Sequence, residues 1–187
     1  MNMSILQQTL ETLIAGKSIL YPTDTVWGLG CDATNFEAVA KVYAIKKREE
    51  SKSLIILVSS LEMLLNYVST VPQKVIDLLA TSEKPTTIIY SNPQGIAKNC
   101  IASDNTIAIR IVQDDFCKEL IKEFGKPIVS TSANTSGSET PKSFSEISTT
   151  ILDSVDYVVN LQQEKIAIAS SRILKITDDH KVVVIRE

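Results

Sequence analysis

The sequence predicts an α/β protein: a mixed, open sheet flanked by helices in a single domain, residues 1–187. Short strand-like apolar runs alternate with amphipathic helical stretches, the pattern of a sheet covered by helices. Two late strands, RILKIT (172–177) and KVVVIR (181–186), are close enough in sequence to form a hairpin around Asp178, Asp179 and His180. With 187 residues and 44% hydrophobic side chains, the chain can bury one sizeable core but is short for two domains.

The first element is a helix. Ser4 and Gln7 have capping-box spacing, Leu6, Leu10, Leu13 and Ile14 share a face, and Gly16 is placed to end it. SILY (18–21) reads as a short buried strand stopped by Pro22, and Asn35 caps a second helix with Val39, Ala40, Val42 and Tyr43 on its apolar side. LIILV (54–58) is another strand. Helical patterns follow at about 61–68 and 72–80, then strands TTIIY (86–90) and IAIRIV (107–112) and a helix over about 115–124. PIVSTSAN (127–134), a helix within 143–153 and the strand DYVVN (156–160) precede the hairpin. The irregular stretch 91–104 is the segment expected to move over a site.

Composition narrows the function. Nineteen Lys and Arg against 22 Asp and Glu give a net charge of −3, which argues against a broad nucleic-acid or anionic-membrane surface and leaves room for a local basic pocket. Cys31, Cys100 and Cys117 are odd in number, far apart and without C-x-x-C spacing, so buried reduced thiols are expected rather than disulfides or zinc. No stretch approaches bilayer-spanning length and no basic residues precede an apolar block at the start, so a cytoplasmic protein with no membrane partner is expected. The single histidine, His180, falls in the hairpin turn, where a surface role is expected.

Three segments offer chemistry. In YPTDTVWGLG (21–30) a strand empties into Thr23, Asp24 and Thr25, with Gly28 and Gly30 permitting tight backbone geometry; the alternative is an ordinary turn with Trp27 in the core. In IKKREESK (45–52), Lys46, Lys47, Arg48 and Lys52 crowd a helix end. They make either a solvated C-terminus or a triphosphate clamp without a Walker-type glycine loop. VSTSANTSG (129–137) is a strand exit rich in hydroxyl and amide groups.

These segments occur in the order of a known family. YPTDTVWGLGCDA resembles the P-T-(E/D)-T-x-(Y/W)-G-L-G-x-D-A signature of the YrdC-like threonylcarbamoyl-AMP synthases, and STSANTSG matches their S-A-N-x-S-G motif. KKR followed by KSLIILV is similar to their K-x-R and P-L-x-x-L-V block, KPTTIIY to their P-G-P-x-T strand, and Arg110 stands where their R-x-P arginine belongs. The resemblance runs from about residue 14 to 186, with no room for the extra C-terminal domain of longer members.

The resemblance implies a YrdC/RibB-type open twisted sheet with a concave, positively charged cavity. It also implies an enzyme that condenses L-threonine, bicarbonate or CO2, and ATP into threonylcarbamoyl-adenylate and pyrophosphate. A separate transferase complex would use that product to modify tRNA, and weak direct tRNA contact is a further expectation. Lys46, Arg48 and Lys52 would bind ATP phosphates, with Ser130, Asn134 and Arg186 on the nucleotide. Thr23, Arg110, Ser132 and Ser171 would hold threonine, Arg110 through the carboxylate. Mg²⁺ would come with ATP, bound through phosphate oxygens and water rather than by a protein cage. No acid, base or nucleophile is assigned, because threonine's amine and the resulting carbamate supply the nucleophiles and positioning supplies the rest. Lys46 and Arg48 are expected to face solvent until ligand binds.

The chain departs from the family pattern at Glu49, Ser53 and Val112, where prolines are usual, at Lys84, a glycine position, and at Arg172, a threonine position. Two other readings share the resemblance. One is an RNA-binding module without synthase activity, which the absence of interleaved aromatics disfavours. The other is a carbamoyl-adenylate enzyme of the hydrogenase-maturation kind, whose usual zinc-finger and acylphosphatase-like segments are missing here.

Overall fold

Helix α1 (Ile5–Ile14) begins where Ser4 Oγ accepts from the Gln7 amide at 3.1 Å; the Gln7 side chain turns to Glu11 instead of completing a capping box. Asn35 caps α2 (Phe36–Lys46) in the same way through the Ala38 amide, and its buried residues include Ala38 in place of the expected Ala40. These elements belong to a computed structural model that describes residues 3–49, 53–167, 169–177 and 181–187. The expected turn at 178–180 lies outside the described residues.

The strands are β1 (Ile19–Tyr21), β2 (Gly28–Gly30), β3 (Ile55–Val58), β4 (Thr86–Ser91), β5 (Thr106–Ile111), β6 (Ile128–Ser132), β7 (Tyr157–Val158), β8 (Arg172–Ile176) and β9 (Val182–Arg186). They form one mixed sheet in the order β7-β1-β2-β6-β3-β5-β4-β8-β9. Strand β2 was not expected, since GLG has little intrinsic strand preference. It forms because the chain reverses at 22–27 and pairs antiparallel with both β1 and β6. Gly30 is required by space: a Cβ there would sit 2.3 Å from the Val129 carbonyl oxygen and 2.8 Å from the Tyr21 ring. Tyr21 lies across this strand and its hydroxyl donates to that same carbonyl at 3.1 Å.

The other helices are α3 (Leu61–Leu65), α4 (Gln73–Thr81), α5 (Asp115–Phe124) and α6 (Thr149–Leu152). One sheet face, carrying Leu29, Ile56, Val58, Ile88, Tyr90, Ile107, Ile109, Val129 and Leu174, packs against α2, α3 and α4 in the largest core cluster. The opposite face is divided. Ile19, Tyr21, Leu57 and Ile128 are covered by α1 and α5, whose Leu13, Cys117, Leu120 and Ile121 meet them in a second cluster. Beyond Leu57 in the same register row stand Arg110, Thr87 and Ile173, where no helix covers the sheet and a cavity opens.

The stretch 91–104 does not reach that cavity. Ile96, Ala97 and Cys100 are buried in the large core, Ala97 donates to the Ala33 carbonyl, and Asn99 Nδ2 donates to the Phe36 carbonyl, so the segment is stitched to α2. All three cysteines are buried and unpaired, and burial pushes Cys100 up to about 12. Trp27 is core as well, packed on Phe144 at 4.9 Å between ring centroids and on Leu20, Ala133, Ile147 and Ile151.

Candidate active site

The floor of the cavity is a row of aligned residues, Ser130, Ile55, Ala108 and Ile89, contributed by β6, β3, β5 and β4. Because strand side chains alternate, these are the partners of the apolar residues on the helix-covered face. Thr25 and Val26 form one wall, Arg48, Ser53 and Leu54 a second, and Ser170, Ser171, Ile185 and Arg186 a third, enclosing about 340 Å³. Its described lining contains three arginines, Arg48, Arg110 and Arg186, and no carboxylate. A chain of net charge −3 has therefore gathered positive charge at one place.

Arg110 is buried and forms a 3.0 Å ion pair with Asp24, whose other oxygen accepts from the Gln113 amide at 3.0 Å. The sequence offered no acidic neighbour for this arginine; the fold supplies one from 86 residues away. Arg110 also donates to Thr25 Oγ1 at 3.3 Å, and its buried Nε has no acceptor. A buried N–H left unpaired costs free energy until something accepts from it, so the geometry suits an incoming anion.

Thr23 is 2% exposed and does not line the cavity. Its hydroxyl donates to the Val26 carbonyl at 2.7 Å and accepts from the Thr25 amide at 3.1 Å, fixing the turn that presents Thr25 to the cavity. The sequence reading grouped Thr25 with Thr23 and Asp24 in the candidate binding loop but assigned only Thr23 to threonine; the cavity is lined by Thr25, and the T-x-T spacing of a self-bonded turn is the signal that separates the two. Lys165 adds to the brace by donating to the Thr23 carbonyl at 3.1 Å.

Lys46 and Arg48 part company. The last residues of α2 lead into Lys47 at φ +49°, a left-handed conformation that turns the chain sharply. Arg48 is carried to the cavity wall, where it donates to the Ser53 carbonyl at 3.1 Å. Lys46 contradicts the expectation of a solvent-facing cation: it is 1% exposed, because the 132–138 loop covers it. Burial first, and the charge of Arg48 second, bring its pKa down to about 8. Asn134, expected on the nucleotide, is outside the cavity lining and serves that loop, accepting from Ser132 Oγ at 2.5 Å and donating to the Ser138 carbonyl at 2.7 Å. Lys52 lies outside the described residues.

Ser130, Ser132, Ser171 and Arg186 do line the cavity. Ser171 shares a 2.8 Å hydrogen bond with Thr87, and its carbonyl accepts from Arg186 Nη2 at 2.7 Å. Arg186 is exposed, but its pairing in β9 and its bond to the Ser171 carbonyl hold it in place.

The family model for Sua5, YciO and YrdC proteins, described as "Telomere recombination", matches residues 11–187. The chain belongs to this family. A threonylcarbamoyl-AMP synthase of Pseudoalteromonas translucida is 36% identical over 160 residues, covering 84% of this chain and 86% of that protein. A putative threonylcarbamoyl-AMP synthase of Methanocaldococcus jannaschii is 36% identical over 185 residues, covering 98% of this chain and 85% of the relative. Family membership agrees with the fold: E. coli YciO superimposes with a TM-score of 0.82 at 23% identity, over 100% of this chain and 91% of its own. P. abyssi Sua5, solved in complex with L-threonine, superimposes at 0.86 with 22% identity; this chain is wholly covered but spans only 55% of that one.

Proposed function

We propose that this family member is an L-threonylcarbamoyl-AMP synthase, a nucleotidyltransferase acting on ATP, L-threonine and bicarbonate or CO2. The observation that carries the reading is the cavity with three arginines, no carboxylate in its described lining, and an unpaired Arg110 Nε–H. Its substrates bring a carboxylate and a triphosphate, and arginine forks match both. The threonylcarbamoyl-AMP synthases among its relatives favour this activity over simple RNA binding.

In this reading Arg110 takes the threonine carboxylate while Thr25 and Ser171 bound the amino acid, and Arg48 and Arg186 face the phosphates with the Ser130 and Ser132 side chains beside them. ATP enters as its Mg²⁺ salt; a lining of hydroxyls without carboxylates fits a metal that travels on the phosphates. Threonine's neutral amine adds to CO2 and loses a proton, giving the carbamate. A carbamate oxygen then attacks the α-phosphorus, the bond from that phosphorus to the β-bridging oxygen breaks, and pyrophosphate leaves with the electron pair. The protein forms no covalent bond; it positions two anions and stabilises charge on the transferring phosphate. A tRNA-modifying transferase complex in the cytoplasm would consume the adenylate. Among the described residues no helix is long and apolar enough to cross a membrane.

The test is pyrophosphate release by the full chain with Mg²⁺ and ATP, adding L-threonine and bicarbonate separately and together, with mass spectrometry of the quenched product. Release that requires both, with the mass of threonylcarbamoyl-AMP, is expected. Folded protein that binds tRNA yet releases no pyrophosphate would favour the RNA-binding alternative.

A further inference from the structure

Lys46 is connected unlike a phosphate ligand. Its ammonium donates to the Ser132 carbonyl at 2.6 Å and the Asn134 carbonyl at 2.7 Å, with Asn134 Oδ1 at 3.5 Å. Its own carbonyl accepts from the Ser136 amide at 2.7 Å, so side chain and backbone of one residue grip the same loop. Three acceptors surround its three N–H bonds, it is 1% exposed, and it is absent from the cavity lining. That loop follows directly on β6, whose Ser130 and Ser132 line the cavity.

We propose that Lys46 is a positioning residue: it clasps the 132–138 loop to the end of α2 and so fixes where Ser130 and Ser132 stand, instead of binding phosphate itself. A compact ammonium suits a nest of three acceptors pointing at one spot, which a planar guanidinium does not. Lys46 and Arg48, two residues apart, thus divide the work, one holding the wall and the other facing the ligand. The clasp is made wholly by groups of the chain itself; only its consequence for turnover rests on the synthase reading.

Protonation separates the clasp from a phosphate contact. The acceptors facing Lys46 from the 132–138 loop are uncharged, and the charged group bearing on it is Arg48. Its proton affinity is lower with the loop closed than it would be in water, so raising the pH through about 8 favours the closed loop. A phosphate contact acts the other way, since the anion's negative charge would raise the proton affinity of Lys46 and not lower it.

Hydrogen exchange on the nucleotide-free full chain tests the clasp. In Lys46→Met, amides of residues 133–138 are expected to exchange at least tenfold faster while the rest of the sheet is unchanged, with the Kd for Mg²⁺-ATP within about threefold of wild type and kcat lowered at least a hundredfold. Lys46→Arg is expected to loosen the loop as Met does. Unchanged exchange with Kd raised tenfold or more, or rescue of both by arginine, overturns the proposal. Should neither variant fold, wild type alone decides: a Lys46 ammonium NMR signal unmoved by saturating Mg²⁺-ATP supports the clasp, and one that shifts as phosphate replaces the loop carbonyls defeats it. Exchange is read without substrate, so a failed clasp leaves the synthase reading standing, and a protein that made no adenylate would leave the exchange result standing.

Discussion

Along β5, Ile107 and Ile109 face a core sealed by α2, α3 and α4, while Ala108 and Arg110 face the cavity from the same few residues of backbone. The same holds on β6, where Val129 is core and Ser130 is cavity wall. Strand geometry makes this division cheap, because successive side chains point to opposite faces and one face can specialise without disturbing the other. The difference teaches where to look for chemistry in such a sheet: at the positions that would be apolar if a helix covered them. Leu57 and Arg110 are register partners on one face, and what separates them is that α5 covers the first and stops short of the second.

Arg110 is where the comparison is most easily broken, since it sits on the cavity face yet is buried like a core residue. Arg110→Ala leaves Asp24 buried without its partner and is expected to cost about 3–5 kcal/mol in denaturant unfolding, a core-sized loss. It should also raise the threonine requirement far more than the ATP requirement. Adding Asp24→Asn is expected to recover most of the stability and none of the threonine affinity. A single variant as stable as wild type, or equal losses for both substrates, contradicts the assignment.

Ile109→Ala, one position earlier on β5, asks the converse. Removing a buried side chain from the large core is expected to cost about 2–5 kcal/mol. Its KM values, measured on the fraction that remains folded, should stay within about twofold of wild type, because its side chain is buried in the core on the opposite face of the sheet from Ala108 and Arg110. A marked change in KM would show that the faces are mechanically coupled and that the division drawn here is too clean.

How far the sequence anticipates these results depends on distance along the chain. Capping at Ser4 and Asn35, the alternating strands and the buried thiols follow from neighbouring residues, and they appear where expected. Strand β2 was invisible because its stability comes from partners on both sides and from Tyr21 lying over Gly30, not from the preferences of Gly-Leu-Gly. Asp24 as the partner of Arg110, and the burial of Lys46 under a loop 86 residues on, were equally hidden. A lysine in the last turn of a helix is ordinarily solvated and favoured by the helix dipole, so local reasoning pointed outward. Of the residues the family resemblance singled out, Arg48, Arg110, Ser130, Ser132, Ser171 and Arg186 line the cavity, while Thr23, Lys46 and Asn134 stand behind it and brace its loops, a division that motif matching does not draw.

The smallest expected effect concerns a charge that belongs wholly to the scaffold. Asp156, just before β7, accepts from the Ser18 amide and hydroxyl at 2.8 and 2.7 Å and from Lys41 at 2.6 Å. Burial by itself would raise its carboxyl, but the bonds from Lys41 and Ser18 outweigh it and hold the pKa at about 2. A carboxyl depressed on folding contributes stability that is present above the unfolded pKa near 4 and lost as pH falls through the folded value near 2. Lys41 is 42% exposed, so solvent screening limits the contribution to about 1 kcal/mol. Asp156→Asn should therefore unfold slightly more easily than wild type at pH 7, with the gap closing between pH 4 and 2 and both KM values unaffected. A gap that persisted at pH 2 would mean that the side chain stabilises the β1–β7 edge by shape and hydrogen bonding, with its charge incidental. A change in KM would mean that even this remote pair is felt in the cavity.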